Sequence, residues 1–405
     1  MTTPTPAVRD RLLALDSAEL PSYLYDLSAL REHAATVRAA LPERVELYYA
    51  AKANPEAEIL AALGPYVDGY EVSSGGELAH VAKAAPGRPL AFSGPGKTPA
   101  ELTTALELGV ERFHVESLHE LHVLAALAAR TTPGRGPLPG ILLRFNLPLA
   151  AASLEGSSLA MGGRPTPFGL DPADADTAVR LLTDGTYPQL RLLGVHAHLA
   201  SGLDAPEQLA VAESVVAWAA DLAARHRIRL TEVNVGGGMS VDYAAPERRF
   251  DWTAYGAGLG RLADAHPDLT LRIEPGRAVS AYCGWYATEV LDVKHSHGEE
   301  FAVVRGGTHH MRTPATKGHD QPCTVIPVSE WPHPWPRPSA AAATGRVTLT
   351  GQLCTPKDLL SRNVPAPGLR AGDRVAFGLA GAYAWNISHH DFLMHPRPGF
   401  HFLTP

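Results

Sequence analysis

The sequence predicts an α/β chain: an eight-unit βα barrel of the TIM type, (β/α)8, followed by a mostly antiparallel β domain. Between about Tyr23 and Glu274, short β-like runs alternate with Ala/Leu-rich helical stretches, as repeated βα units around a parallel sheet require. Eight such runs can be found, the complement of one closed barrel. Beyond Arg277 the texture changes to alternating runs between Gly- and Pro-rich turns, the signature of antiparallel strands. The barrel is assigned to 28–275 and the β-rich domain to 1–27 with 276–405.

In chain order the candidate barrel strands are VELYYAAK, VDGYEVSS, PLAFSG, ERFHVES, GILLRFN, LLGVHAHLA, LTEVNVGGG and LTLRIEPG. Between them LSALREHAATVRAAL, LHELHVLAALAAR and PEQLAVAESVVAWAADLAARH carry apolar residues at intervals of three and four, the period of an amphipathic helix. LAARTTPGRGPLPG reads as an exposed connection. In the β domain the strands are WYATEVLDV, EEFAVVRGG, GRVTLTGQLC and DRVAFGLAG, and the Pro-, His- and Trp-rich segment from Thr313 to Ser339 reads as a structured loop. No internal repeat is evident.

Composition narrows the function. Apolar residues are 45%, charged residues 19% and the net charge is -7, an ordinary globular balance that gives no support to a nucleic-acid partner. Cys283, Cys323 and Cys354 lie far apart without a CxxC pair, so neither a disulfide framework nor a zinc ribbon is indicated. The N-terminus lacks a basic segment followed by an apolar one, and no run of about 18 uncharged apolar residues occurs. A cytoplasmic protein without a membrane partner is expected.

Barrel chemistry sits at the C-terminal ends of the strands, and the unusual residues fall there. Lys52 interrupts the apolar run YYAAKANPEAEIL; a lysine is almost never buried alone, so it is an exposed strand-end residue, a paired one or a nucleophile. Gly236, Gly237 and Gly238 offer three backbones without side chains, on which N–H groups can converge on an anion, although a glycine turn is common. Glu274, Gly276 and Arg277 end the eighth strand, either as a structural ion pair or as part of the site. His196 and His198 share a strand face, followed by Ser201. Such a pair suits a metal-dependent hydrolase; alternatively one ring serves as an aromatic platform and the other is packed. Cys354 alone reads as a small buried hydrophobe, and the turn holding Tyr383 means little by itself.

Taken in order, YYAAKAN, EVSSGGEL, FSGPGKT, FHVES, HAHLASG, GGG, EPGR, the CxxxD of Cys354 to Asp358, and GAY resemble the fold-type III pyridoxal-phosphate-dependent decarboxylases. That group has an alanine racemase-like barrel and includes the diaminopimelate and ornithine decarboxylases. The resemblance covers nearly the whole chain. It implies pyridoxal 5'-phosphate bound as a Schiff base on Lys52, with His198 stacked on the pyridine. Ser201, Gly236, Gly237, Gly238, Gly276, Arg277 and Tyr383 would hold the phosphate, and Glu274 would face the ring nitrogen. No metal is implied. A carboxylate at the ring nitrogen makes the ring a strong electron sink, favouring decarboxylation where related racemases use arginine. The resemblance further implies a homodimer with shared active sites, in which Cys354 and Asp358 reach the neighbouring subunit's site and the β domain contributes to the interface.

For the small-molecule substrate, the sequence departs from diaminopimelate decarboxylases at Cys354-Thr355-Pro356, where those enzymes carry a glutamate for the distal amine. RGGTHHMRTP, SHHDFLMHPRP and MGGRPTPFGLD resemble the branch that serves carboxylate siderophores, including citryl-diaminopropionate decarboxylation in staphyloferrin B formation. His309, His310, Arg312, His389, His390 and Arg397 would suit a citrate-like polyanion, with two or three of them touching substrate and the rest serving backbone carbonyls. The alternatives are a diaminopimelate decarboxylase, a metal-dependent amidohydrolase and a non-catalytic relative that only binds the cofactor.

Overall fold

The computed structural model describes residues 3–131, 137–148, 162–341 and 345–404. Residues 132–136 of the LAARTTPGRGPLPG connection and Met161 of MGGRPTPFGLD lie outside them. The chain divides into two compact units, one of residues 33–240 and 250–279, the other of 1–32, 241–249 and 280–405.

Strand β1 (Ser22–Asp26) belongs to the second unit. The first unit is a closed parallel barrel of β2 (Val45–Ala50), β3 (Gly69–Val72), β4 (Leu90–Phe92), β5 (Arg112–Val115), β6 (Gly140–Arg144), β7 (Arg191–His196), β8 (Glu232–Asn234) and β9 (Thr270–Ile273). Each of the eight expected runs is one of these strands. β9 pairs back onto β2 through Val45 with Leu271 and Leu47 with Ile273, which closes the ring. The strands are buried along nearly their whole length, as strands covered on both faces must be. Helices return the chain between them. The helix Ala205–His226 starts on a capping box in which Asp204 accepts from the Glu207 amide, and stops at Arg227 in the left-handed region.

The barrel interior away from the strand C-termini is filled by charge. Arg272, fully buried, pairs with Glu46 and with Glu232 at 3.0 Å and lies 4.3 Å from the Tyr48 ring centre; Arg112 Nε reaches Glu232 at 2.9 Å. Burial raises the Tyr48 pKa to about 12, Arg272 and Arg112 opposing.

The second unit is an eight-stranded sheet of mostly antiparallel pairs: β10 (Gly284–Ser296), β11 (Glu299–Val304), β12 (Cys323–Ile326), β13 (Arg346–Thr350), β14 (Leu359–Pro365), β15 (Arg374–Phe377) and β16 (Gly399–Leu403) join β1. The order β12-β15-β10-β11-β13-β14 is extended by β1, which pairs with β10 and, in parallel, with β16. The helix Pro6–Ala14, with Pro at its start, sets Val8 and Leu12 into a core with Leu24, Trp285, Ile326 and Ala376. Within the Thr313–Ser339 segment lie a short helix, Thr313–Lys317, and β12. Among the described residues no helix is long and apolar enough to cross a membrane.

Candidate active site

Lys52 sits in the single turn Ala51–Ala53 that follows β2. Its Nζ is 3.1 and 2.9 Å from the two Glu71 oxygens and 3.3 Å from Ser73 Oγ. Glu71, on the neighbouring β3, is buried, while the Lys52 side chain is 44% exposed. The amine is therefore paired and also open to the barrel mouth, a combination that the spacing of one strand could not reveal.

Glu274 follows β9 and is nearly buried. Its Oε1 accepts from Asn234 Nδ2 at 2.7 Å, and its Oε2 from His196 Nε2 at 3.2 Å. His196 stacks on His114 at 4.2 Å between ring centres, and His114 Nδ1 meets Ser93 Oγ at 2.5 Å. Burial first, then the neighbouring positive groups, hold the pKa of both imidazoles well below the usual histidine value. His198, two residues past the end of β7, has its pKa lowered to about 3 by burial, with Arg144 and Lys52 adding. It meets Ser201 Oγ at 3.4 Å. Arg144 is committed to Glu116 at 2.7 Å.

On the glycine turn, the Gly236 amide is committed to Asn234 Oδ1 at 2.9 Å, and Gly236 O accepts from the Glu274 amide. Gly237 O accepts from Gln208, and Gly238 O from Gly202 and Leu203. The Gly237 and Gly238 amides donate to no described residue. A Cβ on Gly237 would lie 2.3 Å from Glu274 O; Gly238 combines a φ of +108° with the same separation from Ala200 O, so no larger residue fits there. The anion-binding capacity expected of three glycines thus rests on the last two. Gly276 packs against Ala53, and Arg277 opens the short helix Arg277–Ser280.

The remaining expected residues lie in the β unit. Cys354 is exposed. Asp358, expected to touch substrate, is 2% exposed, and its oxygens accept from the Thr308 amide at 2.7 Å and the Leu353 amide at 2.8 Å. It holds two turns together and presents no oxygen outward. His310 is likewise occupied, by Tyr286 OH at 2.9 Å and Pro396 O at 3.1 Å, and His390 lies on Trp385 and bonds its carbonyl. Both His310 nitrogens and the His390 Nε2 are thus engaged within the fold. His309 is buried with neither nitrogen bonded, and Arg312 Nε is buried without a partner. His389 is exposed, as is Arg397, 3.8 Å from Asp391. Tyr383 has a φ of 50°, and its carbonyl accepts from Thr313 Oγ1.

One ligand would satisfy the barrel-mouth groups together: a phosphate-bearing aldehyde with a basic ring nitrogen, the cofactor of the pyridoxal-phosphate class of barrel enzymes. An amine, two free amides and a carboxylate with lone pairs to spare fit its three functional ends. Comparison with known proteins narrows the class. The family described as pyridoxal-dependent decarboxylase, pyridoxal binding domain, matches residues 27–281, and the chain belongs to it, a pyridoxal-phosphate-dependent amino-acid decarboxylase. It is 38% identical, over 94% of each chain, to the 2-[(L-alanin-3-ylcarbamoyl)methyl]-2-hydroxybutanedioate decarboxylase of Staphylococcus aureus. It is 30% identical to the L-glutamyl-[BtrI acyl-carrier protein] decarboxylase of Niallia circulans, over 94% of this chain and 88% of the other. The solved structure of Helicobacter pylori diaminopimelate decarboxylase complexed with L-lysine is similar at a TM-score of 0.82 and 26% identity, over 98% of this chain and 94% of that one. The amidohydrolase alternative falls with these findings, and the two histidines that suggested it have separate partners, Glu274 and Ser201.

Sequence reasoning did not single out Glu71, Ser73, His114, Asn234 or Arg144. Glu71 and Ser73 lie in EVSSGGEL and His114 in FHVES, so the signal was a quoted motif without an assigned role.

Proposed function

We propose that this enzyme decarboxylates the amino-acid moiety of a citrate-conjugated diamino acid, a polycarboxylate intermediate of siderophore-type metabolism, and works as a cytoplasmic homodimer with shared active sites. The observation that carries the reading is the 38% identity over 94% of both chains with the Staphylococcus aureus decarboxylase, whose named substrate is such a conjugate. Thr355, in place of an amine-binding glutamate, and the His- and Arg-bearing stretches around His309 and His389 support it.

Pyridoxal phosphate, when bound, supplies the aldehyde that holds the amino acid and the ring that accepts the electron pair left by departing carbon dioxide. The side chains supply position and protons. Lys52 Nζ must shed a proton to act as a nucleophile, and Glu71 Oε2, 2.9 Å away, is within reach to take it. The Gly237 and Gly238 amides would hold the phosphate, and Glu274 would serve the ring nitrogen. Arg312 and His309, whose buried nitrogens lack partners, bind the distal carboxylates, since guanidinium and imidazole donors match them. Cys354, exposed on its own chain, returns a proton to the reacting carbon in the neighbouring subunit.

The test is carbon dioxide release from purified, cofactor-loaded enzyme offered citryl-diaminopropionate, free diaminopropionate, ornithine and meso-diaminopimelate. The citryl conjugate is expected to give the highest kcat/KM, and the Lys52→Ala variant to release nothing from any of them. A higher kcat/KM on meso-diaminopimelate, with lysine formed, would overturn the substrate assignment.

A further inference from the structure

Glu274 is a long side chain with three rotatable bonds, and a carboxylate that must meet a ring nitrogen has to be held in one of its rotamers at an entropic cost. Four positions around the barrel mouth, after β4 and on β5, β7 and β8, are linked to it directly or through one another. Asn234, from β8, donates to Oε1 at 2.7 Å, and His196, from β7, donates to Oε2 at 3.2 Å. A carboxylate only accepts, so the His196 proton sits on Nε2, and Nδ1 is the bare nitrogen; Nδ1 is indeed buried without a partner. His114, from β5, stacks on the His196 ring at 4.2 Å and 15°. Its own Nδ1 is fixed by Ser93, the residue after β4. The His196 ring therefore cannot swing without moving its neighbour. The charged and titratable groups facing His196 are Glu274, His114, Arg144, His198, Lys52 and Arg272; the surplus of positive charge and full burial disfavour a second proton on it.

We propose that His196 is a positioning residue for Glu274, acting as a neutral imidazole with its proton on Nε2 and braced from behind by His114 and Ser93, with Asn234 as the second clamp. The inference rests on the reading that Glu274 serves the cofactor's ring nitrogen. With one lone pair of each oxygen taken by a clamp, each oxygen keeps another with which it could accept from a ring N–H. The same Asn234 accepts from the Gly236 amide at 2.9 Å, so the clamp and the glycine turn are set by one side chain.

Three measurements test this. Selective nitrogen-15 labelling of histidine in the cofactor-free chain, with two-bond correlation NMR, should report His196 as the neutral Nε2–H tautomer at neutral pH; an imidazolium or an Nδ1–H tautomer overturns the proposal. In the loaded enzyme, His196→Leu should shift the pH dependence of the cofactor's visible absorbance and lower kcat by roughly tenfold or more, the loss expected of a hydrogen bond to a charged group, with KM within about threefold. His196→Gln, which carries an N–H at a similar reach, should restore most of both. Equal losses in the two variants, or an unchanged spectrum in His196→Leu, would mean that the ring only fills space. His114, His196 and Glu274 also offer donor atoms all within 4.8 Å of one another, so equilibrium dialysis against zinc is included: stoichiometric binding that excludes the cofactor would reassign the cluster as a metal site. Wild-type protein that acquires no visible band with pyridoxal phosphate would instead sink the underlying cofactor reading.

Discussion

At the scale of single residues, the molecule holds several imidazoles away from water. His198 is pushed from 6.5 down to about 3, chiefly by burial. Such a group is neutral in the folded chain and takes a proton in the unfolded one below about pH 6.5. In that window the unfolded state binds more protons, so stability falls as the pH falls, by about 1.4 kcal/mol per unit per histidine, until the folded pKa is reached. Above the unfolded value the residue contributes no slope. The urea midpoint of the cofactor-free enzyme is therefore expected to drop between pH 7 and 5, and His198→Phe should flatten that dependence by about one proton; an identical slope in the variant would contradict its burial as a neutral ring. Lys52, Glu274 and the glycine turn were legible because each is a residue type that a barrel strand end does not need for packing. Glu71 and Asn234, equally unneeded for packing, were not, because their roles are set by partners at the end of the neighbouring strand, Lys52 for Glu71 and Glu274 for Asn234.

At the scale of elements, all eight barrel strands could be read, since burial on both faces leaves short, mostly apolar runs that alternate with helical stretches, but the β unit was only half visible. β14 and β16 carry arginine, asparagine, histidine or proline and alternate weakly; β16 is held chiefly by parallel pairing with β1, a partner from the far end of the chain that no local pattern can announce. The Arg272 network was also hidden, because a charged residue inside LTLRIEPG breaks the apolar pattern unless its carboxylate partners on β2 and β8 are known. Replacing Arg272 by Met should leave Glu46 and Glu232 without their shared cation and cost about 3–5 kcal/mol, as when one partner of a buried pair is lost. Urea unfolding at neutral pH checks this, and a loss below about 1 kcal/mol would show that Arg112 alone suffices for Glu232.

At the scale of the whole molecule, the shared-site proposal makes a prediction that no single chain can satisfy. Lys52→Ala and Cys354→Ala homodimers should each be nearly inactive. Mixing and re-equilibrating them should restore up to about a quarter of wild-type activity, because random pairing makes half the dimers mixed and each mixed dimer has one intact site. Activity that stays at the sum of the parents at every mixing ratio would place Cys354 in its own chain's site. The turn that presents Cys354 is not an independent part. Asp358 ties it to the turn of Thr308 through the Thr308 and Leu353 amides, and Gln352 and Gly306 exchange further bonds between the same two turns. In directed evolution the two loops form one heritable block: a library that diversifies the His309 loop alone will disturb the thiol it is laced to, and retargeting this scaffold calls for varying both loops while Asp358 is left untouched.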